Sequence, residues 1–293
     1  MFLFLNCVSS SAPAYHTCVK LVTRLLRLIF LLLLLPVLLL LGCQSKLMYY
    51  QRPYDEDYRQ SLSQFHGLAL EYVTSQGQQV AHYIPPRNGE ASPQKIWLCF
   101  SGNGSLALDW LNFVKEWDPS FAYLMVDYPG YGDCHGSPNP SRMRESSQAA
   151  VAALAKHLKQ TPEQIAPKMG VLAHSIGCAV GLMAADDLNI QRIILISPFT
   201  TMTEMGKLVL GTPLCYLNLH RFDNRTHLSN VVGKGAHVEI YHGTEDEVIP
   251  VAMSRELAAA HPGKVTLHEK EDQDHNLILL NISKEVGETM SRL

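Results

Sequence analysis

Residues 169–178 read Met-Gly-Val-Leu-Ala-His-Ser-Ile-Gly-Cys. An apolar, strand-like run from Met169 to Ala173 stops at Ser175, and small residues then open a helical stretch. A tight strand-turn-helix of this kind lifts a serine hydroxyl clear of the backbone, where it can attack a carbonyl carbon. Small residues two before and two after the serine let the flanking chains approach. Here they are Ala173 and Gly177, so the motif is A-H-S-I-G with its first glycine replaced. A serine hydroxyl is a weak nucleophile without a base, and the base needs an acid to orient it. His275 follows a strand-like run and precedes a helical one, in Asp272-Gln273-Asp274-His275-Asn276-Leu277. His174 competes for the role, but a residue beside the nucleophile on a tight turn points elsewhere, so it reads as a packing neighbour. For the acid, Glu245, Asp246 and Glu247 lie together directly after another strand, and a solvated acidic turn would account for the two glutamates.

Acyl chemistry on Ser175 also needs two N–H donors for the developing oxyanion. Ile176, next after the serine, supplies one. The other is expected from the loop Phe100-Ser101-Gly102-Asn103-Gly104-Ser105, whose glycines let backbone approach a ligand; Asn103 N–H is the candidate. That loop carries neither G-x-x-x-x-G-K-[ST] nor a complete G-x-G-x-x-G, so it is not read as a phosphate cradle. Asn103-Gly104-Ser105 is formally a glycosylation sequon, but a glycan there would block the site.

The elements that must position these groups follow from periodicity. Leu68 to Val73 and Gln79 to Ile84 read as a hairpin, and Ile96 to Phe100 and Phe121 to Val126 as short buried strands. Leu106 to Trp117 has helical apolar spacing, as does the alanine-rich Met143 to Leu158. Further strands are expected at Met169 to Ala173, Arg192 to Ile196, Val238 to Tyr241 and Val265 to His268, alternating with helices. The fold class is therefore α/β, a mostly parallel central sheet with helices on both faces. Ligands of such sheets bind at the carboxyl ends of the strands, where Ser175, the acidic loop and His275 all fall. Residues 202–232 interrupt the alternation and read as a short lid-like insertion, apolar from Leu208 to Leu217.

The bulk numbers fit. The chain of 293 residues, 47% of them apolar, suits one large domain, 66–293, behind a leader of 1–43 and a tether of 44–65. A net charge of −3 without a basic stripe excludes nucleic acid as a partner. Neither H-E-x-x-H nor a Cys/His cluster is present, so no metal site and no cofactor is expected. The seven cysteines show no paired C-x-x-C spacing, and those in apolar segments read as buried small residues.

Lys20, Arg24 and Arg27 precede the apolar run Leu28 to Leu41, a signal-like h-region that would keep its basic flank cytoplasmic. Leu40-Leu41-Gly42-Cys43 resembles the lipobox of bacterial lipoproteins. The resemblance implies cleavage before Cys43, lipidation of Cys43 and a membrane-attached protein outside the cytoplasm. Gln44, in place of an aspartate, implies outer-membrane sorting in a two-membrane bacterium. The leader before Lys20, with Cys7 and Cys18, is long for such a signal; an uncleaved anchor is the alternative.

In chain order, S-G-N-G, D-Y-P-G-Y-G, A-H-S-I-G, H-G-T-E-D-E-V-I-P and D-H-N together resemble the α/β-hydrolase superfamily from about Ile96 to Leu280. The chain is most similar to the serine aminopeptidase-like and acyl-protein thioesterase-like branch, which Ser197-Pro198-Phe199-Thr200 and Arg221-Phe222-Asp223 also resemble. The resemblance implies a triad ordered Ser175, Asp246, His275 and an oxyanion hole of Asn103 and Ile176. It also implies a structural role for the Asp127-Tyr128-Pro129-Gly130-Tyr131-Gly132 turn. Ser101 departs from the pattern by standing where relatives often carry histidine. The expected substrate is a small acyl ester or thioester, with a peptide as the alternative. A peptide's amino group would call for an acid such as Glu204 or Asp223. A non-enzymatic lipoprotein of the same fold is the remaining alternative.

Overall fold

The computed structural model describes residues 12–90 and 92–293 and divides into two compact units, Met1–Gln44 and Ser45–Leu293. In the first unit, residues Ala12–Gly42 form one helix, with Pro36 inside it. The helix extends the apolar run toward the N-terminus. Val19–Leu39, 21 residues with a mean hydropathy of 2.4, is long and apolar enough to cross a membrane. Cys43 is an exposed free thiol, whereas Cys7 lies outside the described residues.

The second unit is built on one eight-stranded sheet: β1 (Leu68–Thr74), β2 (Gly77–Ile84), β3 (Ile96–Phe100), β4 (Ala122–Val126), β5 (Met169–His174), β6 (Arg192–Ile196), β7 (His237–Gly243) and β8 (Val265–Lys270). Their order across the sheet is β1-β2-β4-β3-β5-β6-β7-β8. The β1–β2 hairpin and the β2–β4 pair are antiparallel, and every pair from β4 to β8 is parallel. Burial explains the sequence of each strand. β3 (Ile-Trp-Leu-Cys-Phe) and β5 are buried at every residue, so β3 is apolar throughout and β5 is apolar up to His174, whereas edge strand β1 has only exposed and half-buried positions.

The order places β3 between β4 and β5, so the chain leaves β3 toward one side and later returns to β5 on the other. Connections that diverge in this way open a crevice at the carboxyl edge of the sheet. With Phe100 paired to Ala173, the loops that follow these two residues flank that crevice.

Helices cover both faces, as expected. Pro140–His157 packs on Ile176–Leu188, which in turn packs on Asn224–Gly233. The C-terminal helix Ile278–Arg292 is joined to residues 107–117 where Trp117 Nε1 donates to Ser283 O at 2.9 Å. One expectation needs correcting. Leu106 to Trp117 is not a continuous helix but a 3-10 turn, Ala107–Trp110, followed by the short helix Leu111–Val114. The reason lies outside the segment: the Arg87 guanidinium donates to the carbonyls of Val114 and Trp117 at 2.6 and 2.5 Å, fixing carbonyls at the helix's C-terminal end. The 202–232 stretch forms Met202–Leu210, a 3-10 turn Leu214–Leu217 and the start of Asn224–Gly233.

Candidate active site

Ser175 follows β5 with φ 57° and ψ −124°, a left-handed backbone that a serine adopts only when its surroundings impose it. The strain is on the order of 1–3 kcal/mol. It is held from both sides, with Ser175 N–H donating to Ile196 O at 2.8 Å and Ser175 O accepting from Cys178 N–H at 3.0 Å. Gly177 is required here because a Cβ would lie 2.5 Å from Phe100 O and 2.7 Å from Ser101 O. The missing first glycine has a local remedy. A Cβ on Gly181, one turn into the helix Ile176–Leu188, would lie only 3.1 Å from the Ala173 methyl. The space for the Ala173 methyl is therefore provided by a glycine on the facing helix.

The hydroxyl of Ser175 lies 3.0 Å from His275 Nε2, and His275 Nδ1 lies 2.7 Å from Asp246 Oδ2. All three residues are buried, at 6–8% exposure, so solvent screens their mutual interactions little. Asp246 is fixed at both oxygens. Its Oδ1 accepts from the N–H groups of Val248 (2.9 Å) and Ile249 (2.7 Å), and its Oδ2 also lies 3.2 Å from His242 Nε2. Burial alone would raise its pKa. The hydrogen bonds from His242, His275 and the Ile249 N–H outweigh burial and hold the carboxyl well below the usual carboxylate range. Glu245 and Glu247, the competing acids, do not bond to His275.

His242 is the residue that sequence reasoning passed over. It is fully buried at the end of β7, with Nδ1 2.6 Å from Ser254 Oγ and Nε2 2.8 Å from Ile249 O. A proton on Nε2 suits both the Ile249 carbonyl and Asp246, leaving Nδ1 to accept from Ser254. The only signal in the sequence was the histidine that opens H-G-T-E-D. His174, the competing base, turns away from the Ser175 hydroxyl and meets the His275 carbonyl at 3.1 Å through Nε2. Burial, then the nearby His275, push its pKa down to about 3, so it is a neutral brace.

The Ser101–Ser105 loop lies against the serine: a Cβ on Gly102 would meet His174 Nδ1 at 3.0 Å and Ser175 Cβ at 3.3 Å. Ile176 opens its helix, so its N–H has no preceding helical turn to bond to. The D-Y-P-G-Y-G turn braces this loop. Tyr128 OH donates to Ser101 O at 2.6 Å and Tyr131 OH to Asn103 Oδ1 at 2.8 Å, while the buried Asp127 accepts from Tyr54 OH and Ala107 N–H. The Asn103 side chain also grips the tether. Its Oδ1 accepts from Tyr50 N–H (3.0 Å) and its Nδ2 donates to Met48 O (2.8 Å). Tyr49, buried beside it, pairs its hydroxyl with His220 Nδ1 in the insertion at 2.9 Å.

Neither acid considered for a substrate amine is free. Glu204 is bonded by both carboxylate oxygens to Arg225, at 2.8 Å each, and accepts from Thr200 Oγ1. Asp223 caps the helix Asn224–Gly233 by accepting from Thr226 N–H at 3.1 Å and Thr226 Oγ1 at 2.8 Å. Cys99, Cys134, Cys178 and Cys215 are buried free thiols.

The chain matches the alpha/beta hydrolase family over residues 97–262. It is similar to an uncharacterised protein of Mycobacterium tuberculosis strain H37Rv, 25% identical over 178 residues that make up 61% of each chain. The chain thus spans about three fifths of the length of the curated relative it matches. Among solved structures it is similar to the Pyrococcus furiosus esterase Pf2001, with a TM-score of 0.61 at 15% identity, covering 83% of this chain and 96% of that one. It is also similar to the esterase domain of a Rhodothermus marinus protein, with a TM-score of 0.56 at 14% identity, covering 77% and 96%.

Proposed function

The chain belongs to the alpha/beta hydrolase family, and on that premise we propose that it is a membrane-anchored serine hydrolase cleaving carboxylic ester or thioester bonds. The observation that carries the reading is the buried relay from Ser175 Oγ to His275 Nε2 (3.0 Å) and from His275 Nδ1 to Asp246 Oδ2 (2.7 Å). In the first half-reaction His275 takes the Ser175 proton as Oγ bonds to the acyl carbon. The alcohol or thiol then leaves with that proton, and Ser175 carries the acyl group. Water repeats the sequence, releasing the acid and restoring the hydroxyl. Asp246 holds the imidazole tautomer and balances the imidazolium, while the Ile176 and Asn103 N–H groups receive the oxyanion.

Ester rather than amide cleavage is favoured because Glu204 and Asp223 are already engaged, leaving neither acid to hold a substrate's amino group. The reading places the chain in the serine aminopeptidase-like and thioesterase-like branch, with residues 202–232 as a lid over the 66–293 domain. Residues 1–43 act as anchor or cleaved signal, with Cys43 as the lipidated residue and the domain on the non-cytoplasmic side. Support for the anchor comes from the apolar run Leu28 to Leu41 behind Lys20, Arg24 and Arg27, inside the span Val19–Leu39 that is long and apolar enough to cross a membrane, and from the exposure of Cys43.

A fluorophosphonate probe is expected to label the protein at Ser175 and to leave Ser175→Ala unlabelled. Labelling that survives the substitution sinks the nucleophile assignment. Mass spectrometry of the mature N-terminus tests the anchor: a diacylated Cys43 supports lipidation, and an intact leader makes the segment a membrane helix.

A further inference from the structure

Exposed large apolar side chains of the second unit occur singly or in pairs at Leu68, Val73, Val248, Leu277 and Leu280, but one group of them is dense. Leu208, Val209, Leu210, Leu214, Tyr216 and Leu219 are 47–79% exposed, all within one short stretch of the insertion. No charged residue occurs from Leu208 to Leu219. Leu47 and Tyr50, at 59% and 69% exposure, are on the tether. The two stretches are stitched together. Tyr49 OH pairs with His220 Nδ1 at 2.9 Å, and Ser45 Oγ donates to Pro138 O at 3.1 Å while facing the same histidine. An apolar exposure of this extent needs an occupant, because single exposed leucines are ordinary but a run of them is not.

Chain connectivity identifies that occupant. The apolar helix ends at Gly42, and Ser45 is already bonded into the domain. Three residues of backbone reach at most about 11 Å. Lys46, Lys207 and Arg221 flank the apolar stretches, a basic border of the kind that suits anionic headgroups. Met48 and Tyr50 of the tether are gripped by Asn103 in the loop beside Ser175, and Tyr49 between them bonds to His220 at the end of the apolar stretch, so the tether side of this surface borders the site.

We infer that the Leu208–Leu219 ridge, with Leu47 and Tyr50, docks into the lipid surface that holds the anchor, and that the site takes long-chain acyl esters dissolved in that bilayer. This deepens the hydrolase reading above and rests on it. Docking at the mouth lets an acyl chain pass from the bilayer to Ser175 without crossing water, and crossing water would cost about 0.8 kcal/mol per exposed CH₂.

The test uses the full chain in vesicles of phosphatidylcholine with a minority of phosphatidylglycerol and two substrates. One is water-soluble p-nitrophenyl acetate; the other is 4-methylumbelliferyl oleate held in the bilayer. The variant Val209→Gln with Leu214→Gln changes two exposed residues without altering charge. It is expected to cleave the acetate within about twofold of wild type and to lose about tenfold or more on the oleate, as two apolar contacts with lipid are removed. The pair Val209→Leu with Leu214→Met should keep wild-type activity on both. Parallel loss on both substrates would make the ridge a structural part of the fold and overturn the inference. An unchanged oleate rate would overturn it too, leaving the ridge to a second copy or another protein. Failure of the parent reading looks different: wild type would neither take the fluorophosphonate nor cleave the acetate, or would not float with the vesicles. Either result removes this inference as well.

Discussion

The acid side of the site and its rim are built on opposite plans. Asp246 is enclosed by two N–H groups and two histidines, and His242 behind it is bonded in turn to Ser254 and Ile249. The Leu208–Leu219 rim instead presents exposed apolar side chains, and flanking residues on either side of it are bonded to the domain, His220 to Tyr49 and Glu204 to Arg225. Groups that must hold a proton in place are over-determined, because a displacement of about 1 Å can cost about a hundredfold in rate. A surface that meets substrate needs only its chemistry and leaves its residues free to vary. Chemistry is therefore expected to be insensitive to the rim, and substrate choice insensitive to the acid's outer bonds.

The largest effects should fall on the relay. Ser175→Ala and His275→Ala are each expected to lower turnover by on the order of 10⁴ or more, and the double variant should be no worse than either single one. Steady-state kinetics on p-nitrophenyl acetate measures this. Additive losses would mean that the two residues do not act as one unit, and the contrast drawn above would lose its basis.

One layer out, the expected losses shrink. His242→Gln removes one of the two histidines facing Asp246 and breaks the chain to Ser254. A hydrogen bond to a charged group contributes about 1.5–3 kcal/mol, so kcat should fall about tenfold to a hundredfold with KM little changed. A KM rise with intact kcat would assign His242 to substrate contact instead. Smaller still is Asn103→Ala. Its N–H remains, but three side-chain bonds to Tyr131, Met48 and Tyr50 are lost. At about 1 kcal/mol for a neutral bond, the oxyanion loop should loosen enough to lower kcat by several-fold while fluorophosphonate labelling persists. An unchanged kcat would show that the tether does not tension the loop.

These residues also mark where reading the sequence succeeds. Strands β3, β5 and β6 were legible because burial on both faces makes them continuous apolar runs. Ser175 and Asp246 were legible as candidates because each closely follows a strand rich in buried residues, and His275 because it falls between a strand and a helix. What stayed hidden depends on partners far along the chain. The Leu106–Trp117 helix is cut short where carbonyls bond to Arg87, whose own segment gives no hint of that role. Tyr49 and His220 are 171 residues apart, and no local periodicity links them. Glu204 looked available for a substrate amine, but Arg225, 21 residues further along the chain, bonds to both of its carboxylate oxygens. His242 was visible as a motif letter, but its bonds to Asp246 and Ser254 exist only once β7 and the helix Val251–Ala259 have packed.

The finest test of the buried plan is its response to acid. His174 is buried beside His275, and its pKa lies near 3 against an ordinary 6.5. Between those values the unfolded chain binds a proton at this residue and the folded chain does not. Stability therefore falls as pH drops through this window, by about 1.4 kcal/mol per pH unit for one proton, and the loss stops once the folded state also takes the proton. Above about 6.5 the residue has no effect on the pH slope. His174→Gln keeps a donor for the His275 carbonyl and removes the titration. Urea unfolding followed by tryptophan fluorescence suits the comparison, because Trp97, Trp110 and Trp117 are all buried. The variant's stability should decline less steeply than wild type between pH 6 and pH 4, by about one proton's slope, with equal slopes above pH 7. Identical slopes across the acid window would mean that His174 is charged in the fold, and the brace against His275 would have to be redrawn as an ionic contact.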